Sequence, residues 1–74
     1  MDKATQCSKI LAYCAEHGSI TVREAFTELG INSPTKRISE IRNCGDYTVT
    51  VVEERNGTKR WNRYFIVPKE REQL

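Results

Sequence analysis

The sequence lacks any long hydrophobic run, because no apolar stretch approaches the roughly 20 residues that a membrane-spanning helix needs. Residues 1–9 are too polar for the start of a signal peptide. Histidine occurs once, and the three cysteines show no Cys-x-x-Cys spacing, so neither a zinc site nor a disulfide framework is expected. We therefore expect free thiols, no metal, no membrane partner and a cytoplasmic location.

Catalytic signatures are missing as well. The chain has no nucleophile with a plausible base, no paired acidic cluster for a metal and no glycine-rich phosphate loop. Its 74 residues are 38% apolar with a net charge of +2, which suits one compact domain rather than a disordered tail. We expect no enzyme and no cofactor, and a single domain over 1–74 with an ordered core at about 5–67 and a tail at 68–74.

The first helix is predicted over 5–17, where apolar residues recur with the spacing of one helical face. Asp2 and Thr5 are both plausible N-caps, and Gly18 is placed to end the helix. The residues on the apolar face are Cys7, Ile10, Leu11, Cys14 and Ala15.

A second, shorter helix is predicted to begin at Val22 after a short extended segment. Thr21 and Glu24 have the spacing of a capping box, in which each side chain binds a backbone N–H of the opening turn. Gly30 is placed to end this helix. Its expected buried face consists of Val22, Ala25, Phe26 and Leu29.

A third helix is predicted over 34–44, with Ser33 as N-cap, proline at the first helical position and Gly45 at the end. Only Ile38 and Ile41 are strongly apolar, so its buried stripe is narrow. At 100° per residue, the side chains pointing away from the core are Lys36, Ser39, Glu40 and Asn43, flanked by Thr35, Arg37 and Arg42.

The period of the apolar residues then changes to two, and segments 47–55 and 58–67 flank an Asn56-Gly57 pair. That pair predicts a hairpin with a two-residue type I′ turn, in which Arg55 lies opposite Thr58. One face should carry the core residues Tyr47, Val49, Val51, Tyr64 and Ile66. The other should carry Val52 opposite Trp61, with Phe65 nearby.

The predicted register also sets the charge pairing of the hairpin. Glu53 would lie opposite Arg60 and Glu54 opposite Lys59, and such pairs would neutralise half of the positive charge there. The cations left without a partner would then be Arg55 and Arg63.

The order helix, short extended segment, helix, turn, helix, hairpin resembles the winged helix-turn-helix DNA-binding domain, in particular the small type that phages and prophages encode. The resemblance rests on ILAYCAEHGSITVREAFTELGI, SPTKRISEIRNCG and RNGTKRWNRYFIV. It implies an α+β fold, in which three helices are followed by a C-terminal β-hairpin wing. It also implies that helix three enters the major groove while the wing contacts the backbone or minor groove, in a bacterial host cell.

Basic residues concentrate in the segments that this resemblance assigns to DNA. Residues 1–32 contain three basic and four acidic residues, whereas residues 33–63 contain seven basic and four acidic residues. Helix three also exposes side chains of the kinds that read base edges, and its N-terminus could hold a phosphate. The candidate DNA-binding residues are Ser33, Thr35, Lys36, Arg37, Ser39, Glu40, Asn43, Arg55, Asn56, Lys59, Arg60 and Arg63.

Three hypotheses follow for function. The first is sequence-specific binding of double-stranded DNA, as a transcriptional regulator or an excisionase-like recombination accessory, by a homodimer or by several copies on repeated sites. The second is a protein-interaction module that docks on a host protein and inhibits it, with Val52 and Trp61 as the contact. The third is binding of RNA or single strands through Trp61, Tyr64 and the wing arginines. An i, i+4 pairing of Lys36 with Glu40 would be a purely structural alternative to base contacts.

Overall fold

The computed structural model describes residues 2–69, and the α+β prediction is confirmed. Three helices pack on a three-stranded antiparallel sheet with strand order β1-β3-β2. The expected tail reaches beyond the described residues at 70–74. The elements are α1 (Lys3–His17), β1 (Ile20–Thr21), α2 (Val22–Leu29), α3 (Pro34–Asn43), β2 (Tyr47–Asn56) and β3 (Lys59–Pro68).

The caps of α1 and α2 follow the predicted chemistry. The Asp2 carboxylate accepts the Thr5 backbone N–H at 2.7 Å, so α1 begins two residues earlier than predicted. The capping box is confirmed, because Thr21 N–H binds Glu24 Oε1 at 2.8 Å and Glu24 N–H binds Thr21 Oγ1 at 3.1 Å. Gly30 ends α2 with a φ of +68°, a backbone conformation that favours glycine.

The short segment before α2 forms a third strand that the sequence analysis did not identify. Ile20 lies opposite Tyr64, and Thr21 lies opposite Arg63. Two residues are too few to show a period, so the pairing depends on the position that α1 and α2 give them.

The predicted register of the hairpin is wrong by two residues. Asn56 pairs with Lys59, so the two-residue loop is Gly57-Thr58. Gly57 has a φ of +64° while Thr58 does not have a positive φ, which excludes the type I′ turn and fits the pattern of type II′. A β-branched threonine disfavours the left-handed conformation that type I′ would require of the second loop residue.

A shift of two residues preserves the alternation of side chains, so the faces of the sheet have the predicted composition. The core lies between the helices and the inner face of the sheet, with Ile10, Ile20 and Ile31 fully buried. Tyr64 and Ile66 are also buried, and Tyr47 and Val49 pack against them. The prediction for Val51 is wrong, because its side chain is 41% exposed. Strand β2 is an edge strand, so Val51 has a neighbouring strand, β3, on one side only.

Helix α2 buries less of its apolar face than predicted. Ala25 is fully buried and Leu29 half-buried, but Phe26 is 57% exposed and Val22 38%. A helix of two turns contacts its neighbours along a narrow line, and Val22 and Phe26 lie together beside that line.

The three cysteines are free thiols. Cys14 is buried and Cys7 is packed against the core, as predicted for small apolar groups, whereas Cys44 is exposed. Burial raises the pKa of both the Cys7 and the Cys14 thiols above their ordinary value. Within residues 2–69, no helix has the length and apolar character to cross a membrane.

Candidate nucleic-acid interface

The outward face of α3 carries most of the predicted base-reading residues. Thr35, Lys36, Ser39 and Asn43 are all exposed. Lys36 makes no ion pair with Glu40, so the structural alternative for this lysine is not realised. Lysine, serine and asparagine side chains on one exposed helical face can donate to and accept from base edges in a major groove.

Lys3 is an additional cation at this face that the sequence analysis missed. It lies at the start of α1 and lines one shallow depression together with Thr35, Lys36 and Ser39 of α3. Thirty residues separate it from α3 in sequence, so only the packing of α1 on α3 places it there.

Arg37 does not face outward as predicted. Its side chain is only 9% exposed, and its Nε lies 3.2 Å from Glu40 Oε1. These two atoms are buried and lie outside hydrogen-bond geometry, so the contact is an ion pair without a hydrogen bond. The same contact turns the Glu40 carboxylate toward Arg37. Arg37 is therefore removed from the candidate interface, and Glu40 lies at its margin.

The N-terminus of α3 has no side-chain cap. Ser33 occupies the N-cap position as predicted, and Pro34 stands at the first helical position, but the Ser33 side chain makes no capping hydrogen bond. Both Ser33 and Thr35 are exposed. An uncapped helix N-terminus with exposed hydroxyls suits a phosphate oxygen.

The structure reverses the prediction of which wing cations have acidic partners. Arg55 pairs with Glu53 on its own strand at 3.0 Å, and Arg63 pairs with Glu54 at 2.8 Å. Lys59 and Arg60 are exposed and form no ion pair with any residue in 2–69. Asn56 is exposed beside the turn. The cations of the wing that are available to a phosphate are therefore Lys59 and Arg60.

Arg63 connects the wing to the start of α2. Its Nε donates to Glu54 Oε1, and its Nη1 donates to Ser19 Oγ at 3.0 Å and to Glu24 Oε1 at 3.3 Å. The Trp61 indole N–H donates to the same Glu54 oxygen at 2.7 Å. The hydrogen bond from Arg63, and to a smaller extent that from Trp61, lowers the pKa of the Glu54 carboxyl group. The hydrogen bond to Glu54 in turn raises the pKa of the Arg63 guanidinium. Arg63 therefore links the wing to the start of α2, and the prediction that it has no acidic partner is wrong.

A groove of about 520 Å³ separates the start of α2 from the wing. Its apolar lining includes Val22 and Trp61, and its cations include Arg23, Lys59 and Arg60. The predicted direct pairing of Val52 with Trp61 is wrong, because Val52 lies opposite Arg63 and Trp61 lies opposite Glu54. Both side chains remain on the outer face of the sheet, at 45% and 37% exposure, as diagonal neighbours.

Within the described part of the chain, no group of three or more His, Cys, Asp or Glu side chains could hold a metal ion. A family model described as the winged helix-turn-helix domain matches residues 5–69. Neither a comparison with curated proteins nor one with solved structures returned a match. Domains of this family are typically DNA-binding modules without catalytic activity. The match spans nearly the whole chain and agrees with its order of helices and strands, so this protein belongs to the winged helix-turn-helix domain family.

Proposed function

We propose that this protein binds double-stranded DNA sequence-specifically, with α3 in the major groove and the wing on the neighbouring backbone or minor groove. The observation that carries the proposal is the position of Lys36, Ser39 and Asn43 on the exposed face of α3, in a chain whose wing presents Lys59 and Arg60 without acidic partners. Base contacts specify the sequence and cation contacts position the domain.

The backbone contacts of this interface would come from three elements. Ser33 and Thr35 offer hydroxyls at the start of α3, Lys3 offers an ammonium from α1, and the wing offers its free cations with Asn56 at the turn. Arg55 is a weaker candidate because Glu53 compensates its charge, although its side chain is 67% exposed. One domain makes few contacts with DNA, so we propose that two or more copies act together on repeated half-sites.

The biological role that fits such a small module is a transcriptional regulator or an excisionase-like recombination accessory, of the kind that a phage or prophage encodes, acting in the cytoplasm of a bacterial host. Both roles would use the same surface.

Selection of duplexes from a randomised pool at about 150 mM salt tests the proposal. We expect an enriched motif for the native chain and a relaxed preference for Lys36→Ala and for Asn43→Ala, each costing about 1–3 kcal/mol of discrimination at its base pair. Lys9→Ala is the matched control, because it removes an exposed lysine from α1 outside the depression that Lys3 and Lys36 line. Recovery of no motif, or competition by single strands instead of duplex, would contradict the proposal.

Phosphate contacts are tested separately by the salt dependence of binding. Lys3→Ala and Arg60→Ala should each reduce the slope of log K against log salt by about 0.9 without changing the preferred motif. An unchanged slope for either variant would remove that cation from the interface.

A second candidate function is docking on a host protein, and the groove between α2 and the wing favours it. Val22 and Trp61 line this groove and are both more than a third exposed, and the cations around it suit an acidic segment that carries an apolar anchor. The substitution Val22→Ser, at a groove residue outside α3, discriminates the two functions. It should leave duplex binding unchanged if the protein binds DNA through α3. It should abolish binding to the host protein if docking is the main activity.

A further inference from the structure

Strand β2 is an edge strand, and its outer side has no strand partner among residues 2–69. It pairs with β3 along ten residues without a bulge. It contains no proline and no lysine, and its first six residues carry no charge. Natural proteins usually protect a long edge strand with a bulge, a proline or a charged residue, or they cover it. A free row of N–H and C=O groups otherwise pairs readily with another strand.

Two adjacent valines in the middle of this edge are exposed on opposite faces of the sheet. Val51 is 41% exposed on the inner face, although it has the alternation of a core residue, and Val52 is 45% exposed on the outer face. Nothing in the described chain covers the edge at this point. A strand added beside β2 would cover part of the Val51 and Val52 side chains. It would also form hydrogen bonds with the free backbone N–H and C=O groups of the edge.

The opposite edge of the sheet cannot accept a strand in the same way. Strand β1 is two residues long, and the chain enters α2 at the next residue. The stretches of β3 without a strand partner on that side, residues 59–62 and 65–68, are four residues each, so β2 is the one long free edge of the described chain. Pairing through that edge is self-complementary and ends at two copies instead of continuing as a fibre.

We propose that β2 pairs antiparallel with β2 of a second copy, about a twofold axis at Val51, to form a homodimer with one six-stranded sheet. A twofold axis perpendicular to the sheet keeps inner side chains beside inner side chains. An axis at Val51 sets the exposed Val51 side chains of the two copies side by side and places Thr48 opposite Glu54 and Tyr47 opposite Arg55. Charge disfavours the neighbouring axis at Thr50, which would place Asp46 opposite Glu54 of the second copy.

This inference deepens the proposed function, because the axis places both α3 helices on the same side of the joint sheet. Two recognition helices on one side of a dimer read two half-sites of one duplex. The pairing itself does not require DNA. Its test can therefore be made without DNA, and a failure of DNA binding would leave the result for the dimer unaffected.

Sedimentation of the full chain without DNA, at about 100 µM, tests the proposal. The native protein should sediment with a molecular mass twice the 8.6 kDa of one chain. The variant Val51→Lys should sediment as a monomer, and its circular dichroism spectrum should be unchanged. Val67→Lys is the matched control and should remain a dimer, because it makes the same change at a valine that is 53% exposed on the central strand β3. A monomeric native protein, a dimeric Val51→Lys or a monomeric Val67→Lys would overturn the proposal.

Cross-linking keeps the proposal testable if Val51→Lys fails to fold. In a chain whose exposed thiol is removed by Cys44→Ser, Val51→Cys brings two thiols together at the axis, and mild oxidation should convert most of the protein to a covalent dimer. Val67→Cys in the same background should give little. Equal yields from the two variants would overturn the proposal.

Discussion

Arg63 and Glu54 are diagonal neighbours on the outer face of the hairpin, joined by a hydrogen bond of 2.8 Å between Nε and Oε1. The same guanidinium reaches Ser19 and Glu24 at the start of α2. This one residue fixes the wing relative to the helices. The neighbouring cations Lys59 and Arg60 have no comparable partner in the described chain, which separates the arginine that stabilises the fold from the cations that remain available.

Replacing Arg63 should therefore reduce stability, whereas replacing Arg60 should not. Arg63→Ala removes three partly exposed hydrogen bonds, and we expect the free energy of unfolding in urea to fall by about 1–2 kcal/mol. Arg60→Ala removes an exposed side chain without an ion partner in residues 2–69 and should change it by less than about 0.5 kcal/mol. Equal effects of the two substitutions would contradict the assignment of Arg63 to the fold.

The contribution of Glu54 should depend on pH. Its pKa is lowered in the folded protein, so the stabilisation is complete above the ordinary value of 4.5 and is lost as the pH falls through the lower folded value. The native protein should have a higher Tm than Glu54→Gln at pH 7, and this difference should shrink below about pH 4.5. The Asp2 pKa is also lowered, but that effect cancels in the comparison because both proteins contain Asp2. A difference in Tm that stays constant from pH 7 to pH 3 would refute the mechanism.

Arg37 should behave as a buried residue in spite of its place on a basic helix. Arg37→Ala removes a packed side chain and leaves a buried Glu40 oxygen without its ion partner, so we expect a loss of about 1–3 kcal/mol in the free energy of unfolding. Lys36→Ala, one residue away on the exposed face, should cost less than about 0.5 kcal/mol. Urea unfolding of the two variants distinguishes them. If Arg37→Ala is as stable as Lys36→Ala, the buried position of Arg37 is wrong.

The three thiols should react at different rates with an alkylating reagent at neutral pH. The exposed Cys44 should react first. Burial raises the pKa of Cys7 and Cys14, which lowers their thiolate fraction as well as their access to the reagent. Mass spectrometry during labelling should show one fast modification, and Cys44→Ser should abolish it. A fast modification that persists in Cys44→Ser would show that one of the packed thiols is more accessible than its burial indicates.

Local sequence signals were sufficient for the helices and for the family. The capping box of Thr21 and Glu24 needs residues only three apart, and Gly18 and Gly30 end helices through their own backbone conformations. The alternation in β2 and β3 likewise assigned side chains to the correct faces, because a shift of two residues does not change the alternation. The order of these elements was enough to indicate the winged helix-turn-helix domain.

The folded structure decided which side chains are available to a ligand. The sequence predicted Arg37, Arg55 and Arg63 as DNA-binding residues, yet each has an acidic partner once the chain is folded. Arg63 pairs with Glu24 and Glu54, which are distant in sequence, whereas Arg37 and Arg55 pair with acidic residues two or three positions away. Lys3 joined the α3 face only through helix packing, and Val51 became exposed only because β2 lies at the edge of the sheet. The sequence by itself determined the local structure, since caps and periodicity act over a few residues. The tertiary structure decided burial and the partners of Arg63, since both depend on which segments the fold brings together.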